Sequence, residues 1–331
     1  MESANDGAAR LSEFSLINRY FAKHVSRARL GIGDDAALID LPSDALLAVT
    51  TDTLNEGVHF LHGADPAKLG HKALAVNLSD LAAMGAVPRY ALLALSMPVA
   101  DAAWLEAFSA GFFALASRHN VELIGGDTTR GALSVTITAM GEVDSRALQR
   151  DGARPGDDIW VSGTLGGAAL GLACLQGSVE VEPADRSAMI ALLETPTPRV
   201  ELGIALRGIA SAAIDISDGL TGDLVHILER SGVAAELDWT RVPQPAALSR
   251  LGDESRARQM ALAGGDDYEL VFTAAPERAS EILSLGSSIG VPLERIGEIR
   301  GREKTARILE IRGLTPAESR ILQSHDHFRP Y

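Results

Sequence analysis

In both halves of the chain, short apolar runs give way to clusters of Asp, Gly, Ser and Thr, and stretches of helical periodicity alternate with them. Ala45 to Val49 leads into Thr50-Thr51-Asp52-Thr53, and Val121 to Ile124 into Gly125-Gly126-Asp127-Thr128-Thr129. Ala212 to Ile216 leads into Ser217-Asp218-Gly219, with Asp215 near the end of the run. Strands alternating with helices predict an α/β or α+β architecture. Open sheets of that kind hold ligands beyond the carboxyl ends of their strands, so Asp52, Asp127 and Asp215 are expected at such ends.

Phe14, Ile17, Phe21 and Val25 recur at helical spacing and predict a short helix to Val25. Pro66 opens a helix that runs to about Met84, where Gly85 stops it, with Asn77, Asp80, Leu81 and Met84 on one face. A strand over 88–97, a helix over 102–117 and a strand over 133–138 complete a first domain. The stretch Asp144 to Asp158, rich in Arg, Asp, Gly and Pro, is the expected boundary and gives domains at 1–146 and 147–331. In the second, strands over 159–162, 212–216, 234–237 and 270–273 alternate with helices, among them one over Arg199 to Ile209, before a last helix and two strands. The turn Gly163-Thr164-Leu165-Gly166-Gly167-Ala168 either brings backbone close to a phosphate or permits close helix packing.

A length of 331 residues suits two domains, and 46% hydrophobic with 22% charged residues describes a soluble globular chain. Lys and Arg number 30 against 44 Asp and Glu, a net charge of −14. That argues against a nucleic-acid or anionic membrane partner, though not against a phosphorylated substrate held through divalent cations. The single cysteine, Cys174, excludes an internal disulfide or a cysteine metal cluster and fits a reduced, cytoplasmic setting. No basic-then-apolar leader and no long uninterrupted apolar run is present, so neither an export signal nor a membrane span is expected.

Gly31-Ile32-Gly33-Asp34-Asp35-Ala36 matches the G-x-G-x-x-A form of a dinucleotide loop. Each of its carboxylates would repel a phosphate charge by about 4 kcal/mol at 4 Å and an effective dielectric near 20, and a metal ion would reverse that sign. Acidic sites recur at Asp34/Asp35, Asp52, Asp80, Asp127 and Asp215/Asp218. Singly, Asp52 reads as a turn residue, Asp80 as a solvated helix face, and Ser217 or Asp218 as an N-cap. Together, in a chain without a cysteine cluster, they point to oxygen-rich coordination of Mg²⁺. The sequence holds no P-loop, no protein-kinase motif set, no H-E-x-x-H and no G-x-S-x-G.

Glu13 to Ile17, Gly31 to Ala36, Thr51 to Thr53, His71 to Ala86, Gly125 to Gly131, Asp215 to Leu220 and Gly264 to Leu270 follow in order across nearly the whole chain. Together they resemble the thiamine-monophosphate kinase family, part of the superfamily of aminoimidazole ribonucleotide synthetase and selenophosphate synthetase. The resemblance implies a two-domain fold, with an N-terminal sheet that pairs across a homodimer and a C-terminal α/β domain. Carried over position by position, it makes Asp35, Thr50, Thr51, Asp52, Asp80, Asp127, Asp215 and Asp218 ligands of several Mg²⁺ ions. It makes Gly126, Asp127, Arg150 and Ser217 contacts of ATP, and His59, Asp266 and Phe328 contacts of thiamine monophosphate. Thr50 stands where Ser is also seen, and Asp266 where Glu is common, one methylene longer.

The reaction so implied joins ATP and thiamine monophosphate to give thiamine diphosphate and ADP. Its acceptor oxygen is already largely anionic near neutral pH, so no catalytic side chain is expected and catalysis rests on alignment and metal screening. Two alternatives compete with it. One is another ATP-using enzyme of the superfamily; selenophosphate synthetase would carry a reactive Cys or selenocysteine near its start, and the hydrogenase-maturation relative a C-terminal Cys. This chain has neither, ending in Phe328-Arg329-Pro330-Tyr331. The other is a nucleotide- or divalent-cation-binding module without turnover.

Overall fold

The computed structural model describes residues 13–32, 36–302 and 307–314. They form two compact units, one within 1–42, 51–74 and 89–140, the other within 43–50, 75–88 and 141–331.

The N-terminal elements are α1 (Glu13–Leu16), β1 (Leu46–Asn55), α2 (Pro66–Ala83), β2 (Val87–Met97), α3 (Ala102–Arg118), β3 (Glu122–Arg130) and β4 (Ser134–Val143). The four strands make one sheet in the order β1-β4-β2-β3. β2 and β3 run parallel, with α3 as the crossover that parallel pairing requires. Asp101 caps α3 by accepting the amides of Ala103 and Trp104. Leu105, Phe108, Phe112 and Leu115 then supply the buried stripe at helical spacing, with Trp104 stacked on Phe108 at 5.1 Å. The first helix is shorter than its apolar spacing predicts: α1 passes into a π-helical turn over Ile17–Phe21, and Ala22 is already extended.

Two strands outrun their sequence signal. β1 continues through Thr50–Thr53 and β3 through Gly125–Thr129, so Asp52 and Asp127 lie inside strands and not at their ends. Threonine is β-branched and suits a strand; Thr51 meets Thr138 at 3.1 Å and Thr53 meets Thr136 at 2.8 Å across the β1–β4 pair. β3 absorbs its glycines where the β2–β3 register shifts between Ala91 and Leu92.

The second unit holds β5 (Asp158–Ser162), α4 (Gly167–Leu175), α5 (Pro183–Glu194), α6 (Val200–Ala205), β6 (Ala212–Asp215), α7 (Leu220–Ser231), β7 (Ala234–Asp238), α8 (Ala246–Ser249), α9 (Glu254–Ala263), β8 (Leu270–Ala274), α10 (Ala279–Ile289), β9 (Leu293–Arg300) and β10 (Leu309–Arg312). Its six strands run β10-β7-β9-β5-β8-β6, antiparallel except for the β10–β7 pair. Ile159, Val161, Leu170, Ile214, Leu224, Val271 and Ile296 share one buried cluster, and Cys174 lies within it. The helix expected over Arg199 to Ile209 ends at Ala205, ahead of the left-handed Gly208. No helix among the described residues is long and apolar enough to cross a membrane.

Candidate functional site

Within the second unit, the last turns of α2 hold two of the expected metal ligands through consecutive residues. Asp80, half-buried, accepts the Thr50 hydroxyl. Ser79, fully buried, donates to Asp215 Oδ2 at 2.7 Å. Asp215 closes β6, 4% exposed, so this hydroxyl offsets part of the cost of burying its charge. Asp80 is therefore not a solvated helix face.

Beyond β6 the turn Ser217-Asp218-Gly219 is held from inside. The amides of all three residues donate to Asp223 Oδ2, at 3.1, 3.0 and 3.1 Å. Neither Ser217 nor Asp218 is the N-cap of α7; that position is Gly219, and Asp223 reaches back from the first turn. Both side chains are half-buried, and among the described residues neither makes a hydrogen bond. Burial, reinforced by the Asp218 charge and opposed by the three amides, lifts the Asp223 carboxyl to about 7.

The loop Gly264 to Glu269 runs beside this turn. Asp266 N–H donates to Ser217 O, Tyr268 N–H to Ile216 O, and Ile216 N–H to Glu269 O, each at 2.8 Å. Asp266 and Tyr268 are left-handed, φ 70° and 51°, which is uncommon for residues with a Cβ. The Tyr268 hydroxyl donates to Asp266 Oδ1 at 3.2 Å. Asp267 turns the other way: its carboxylate accepts the amides of Gly166 at 2.7 Å and Ala168 at 3.3 Å, at the N-terminus of α4. Burial lifts Asp267 to about 8, against those two amides and with the charges of Glu269 and Asp266 adding to the rise. Glu269 accepts Arg199 through Nε at 2.6 Å and Nη2 at 2.5 Å, and the Ser162 hydroxyl at 2.5 Å. Gly163 is needed there, because a Cβ would lie 2.0 Å from Glu269 Oε1. Arg150 is exposed, its carbonyl accepting Ser231 Oγ at 2.9 Å while the neighbouring Gln149 carbonyl accepts Ala213 N–H along the edge of β6.

In the first unit, strand alternation turns Thr51 away from Asp52. Asp52 is half-buried; Thr51 is exposed, and its hydroxyl donates to Ile137 O at 3.0 Å. Gly126 faces Leu93 on β2 so closely, at φ 146°, that a Cβ would sit 1.8 Å from Leu93 O. The next residue, Asp127, is exposed. His59 stands on the turn after β1, where its Nδ1 accepts Asn55 N–H at 3.0 Å.

Asp35 and Phe328 lie outside the described residues, as does Asp34. Among the described residues no three His, Cys, Asp or Glu side chains converge to hold a metal ion. The donors are nonetheless all carboxylates and hydroxyls, a set that fits Mg²⁺, which keeps several waters and takes substrate phosphates with only one or two protein carboxylates. No helix follows the Gly31 loop over residues 36–45, so the dinucleotide form has no helix N-terminus to offer. Sequence reasoning passed over Ser79, Asp223, Asp267 and the Arg199–Glu269 pair. Only Asp223, an acid in the first turn of a predicted helix, carried a signal.

The chain matches the models of the AIR synthase related protein, N-terminal domain at residues 33–143 and C-terminal domain at 154–310. It is 51% identical over 295 residues to a thiamine-monophosphate kinase of Salmonella typhimurium, covering 87% of this chain and 90% of that one. The crystal structure of a thiamine-monophosphate kinase from Stenotrophomonas maltophilia superposes with a TM-score of 0.82 at 50% identity, covering 87% of this chain and 92% of the other. AaThiL complexed with AMPPCP and TMP superposes with a TM-score of 0.74 at 32% identity, covering 92% and 94%.

Proposed function

Because the chain belongs to the thiamine-monophosphate kinase family, we propose that it transfers the γ-phosphoryl group of ATP to thiamine monophosphate, giving thiamine diphosphate and ADP. The observation that supports this reading is the pair of hydrogen bonds at the end of α2, Thr50 to Asp80 and Ser79 to Asp215, which orders oxygen donors of the kind that bind Mg²⁺. Asp35, Thr50, Thr51, Asp52, Asp80, Asp127, Asp215 and Asp218 are assigned to Mg²⁺; the Thr51 hydroxyl is engaged with Ile137 O and Thr138 on β4 and would have to leave them to bind a metal. Gly126, Asp127, Arg150 and Ser217 are assigned to ATP; His59, Asp266 and Phe328 to the thiamine phosphate. The enzyme is read as a cytoplasmic homodimer, with domains at 1–146 and 147–331.

Bound Mg²⁺ would screen the two polyanions from each other and neutralise charge developing on the transferring group. The chain's own residues position. Arg150 offers a forked cation to phosphate oxygens, Gly126 lets β3 pack close on Leu93 and so sets the position of Asp127 beside it, and the amide-held turn carries Ser217 and Asp218. No side chain has to remove a proton, because the acceptor oxygen is anionic.

Incubation with ATP, Mg²⁺ and thiamine monophosphate should yield thiamine diphosphate at a catalytic rate. Asp80→Asn keeps an oxygen for the Thr50 hydroxyl, so it should fold normally yet lower turnover by about a hundredfold or more. ATP binding without transfer would favour the non-catalytic module, and near-normal turnover of the variant at saturating Mg²⁺ would remove Asp80 from the site.

A further inference from the structure

The loop Gly264 to Glu269 holds an unfavourable backbone without a glycine at the two positions that would relieve it, Asp266 and Tyr268. Such conformations persist only where the surroundings over-determine them. Three restraints do so. The backbone ladder to Ile216 and Ser217 fixes one side, the Glu269–Arg199–Ser162 cluster fixes the exit into β8, and Asp267 ties the middle of the loop to the first amides of α4. The third is the one flanked by both left-handed residues. Losing it would leave Asp266 free to relax toward the ordinary extended or helical regions and carry its carboxylate off its present line.

We propose that Asp267 is a positioning residue for the acceptor substrate: its carboxylate, seated on the Gly166 and Ala168 amides, holds Asp266 in the left-handed backbone that aims the Asp266 side chain. The inference rests on the assignment of Asp266 to the thiamine phosphate. Ser217, the ATP contact beside the loop, has its own anchor in Asp223, so the two substrates should respond differently. Asn at 267 has one acceptor oxygen and turns an N–H₂ toward the second amide, so it should serve half as well. Ala leaves both amides at the helix N-terminus empty, a place where a small anion is favoured.

The test is steady-state kinetics of wild type, Asp267→Asn and Asp267→Ala with each substrate varied, with and without added formate, alongside thermal unfolding. Asp267→Ala should raise KM for thiamine monophosphate roughly tenfold or more, the weight of leaving a buried amide without its acceptor. KM for ATP should move by less than about twofold, as for separately anchored sites. Asp267→Asn should fall between, and it carries the comparison if the Ala variant does not fold. Formate should lower the raised KM of Asp267→Ala and leave wild type unchanged. Equal rises in both KM values, or lower stability without a formate effect on KM, would reduce Asp267 to a structural cap and overturn the inference. A wild-type protein that makes no thiamine diphosphate overturns the kinase reading itself and the inference with it.

Discussion

Replacing Asp223 by Asn should abolish a pH dependence of stability that the fold builds into the second unit. The side chain is 4% exposed, and burial holds its carboxyl near 7 in the folded chain against 3.8 for the free group. Between those values the folded protein keeps a proton that the unfolded chain has released, so stability falls as pH rises. The contribution is complete below 3.8 and gone once pH has passed 7. From pH 5 to pH 9 the unfolded chain is ionised throughout while the folded one must ionise across about two pH units, a loss of about 3 kcal/mol. Asn presents a carbonyl to the same three amides and has nothing to titrate. The two proteins should therefore have similar stability at pH 5, with Asp223→Asn the more stable at pH 9 by about 3 kcal/mol. Equilibrium urea unfolding followed by tryptophan fluorescence reads this directly in a W104F background, which leaves Trp160 and Trp239, both in the second unit, as reporters. A difference between the proteins that stays constant over the range refutes the reasoning. So does one that grows in favour of wild type with rising pH, which would mean that the three amides outweigh burial and keep the carboxylate charged.

The same assay addresses the Arg199–Glu269 pair, whose side chains are 20% and 8% exposed. Arg199→Met leaves a buried carboxylate with Ser162 as its remaining side-chain donor and should cost about 3–5 kcal/mol, part of which Glu269→Gln should restore in the double variant by removing the stranded charge. Gly126→Ala forces a Cβ to 1.8 Å from Leu93 O; β2 and β3 must part, and a loss of more than about 2 kcal/mol in thermal unfolding is expected, with weaker ATP binding by titration calorimetry.

Elements whose signal is their own periodicity were legible in the sequence. α3 follows its expected span closely because a stripe of Leu and Phe at helical spacing has one economical burial, and α2 because Pro66 opens it and Gly85 stops it, although it is buried on nearly every side from Lys72 to Ser79. Strand ends were not, since clusters of Thr, Gly and Asp have the composition of loops. β1 and β3 run through such clusters because cross-strand threonine pairs and a register shift accommodate them, and both depend on partners distant in sequence. α6 is short for a converse reason: Gly208 takes a left-handed turn that apolar spacing does not register.

At the site, composition marks where acidic residues gather but not which way each one faces. Asp266 and Asp267 are adjacent and chemically identical, yet one is turned toward Tyr268 and the other is consumed by a helix N-terminus 101 residues away. Asp218 and Asp223 divide in the same manner, the second holding the turn that displays the first. In each case the inward carboxyl accepts backbone amides that would otherwise be buried without a partner. This also answers the glycine-rich turn Gly163 to Ala168, whose sequence left open a phosphate cradle or close packing. Its amides already have an acceptor, the protein's own Asp267 carboxyl. A phosphate could reach them only by displacing Asp267, and the loop bearing Asp266 would then lose its central anchor.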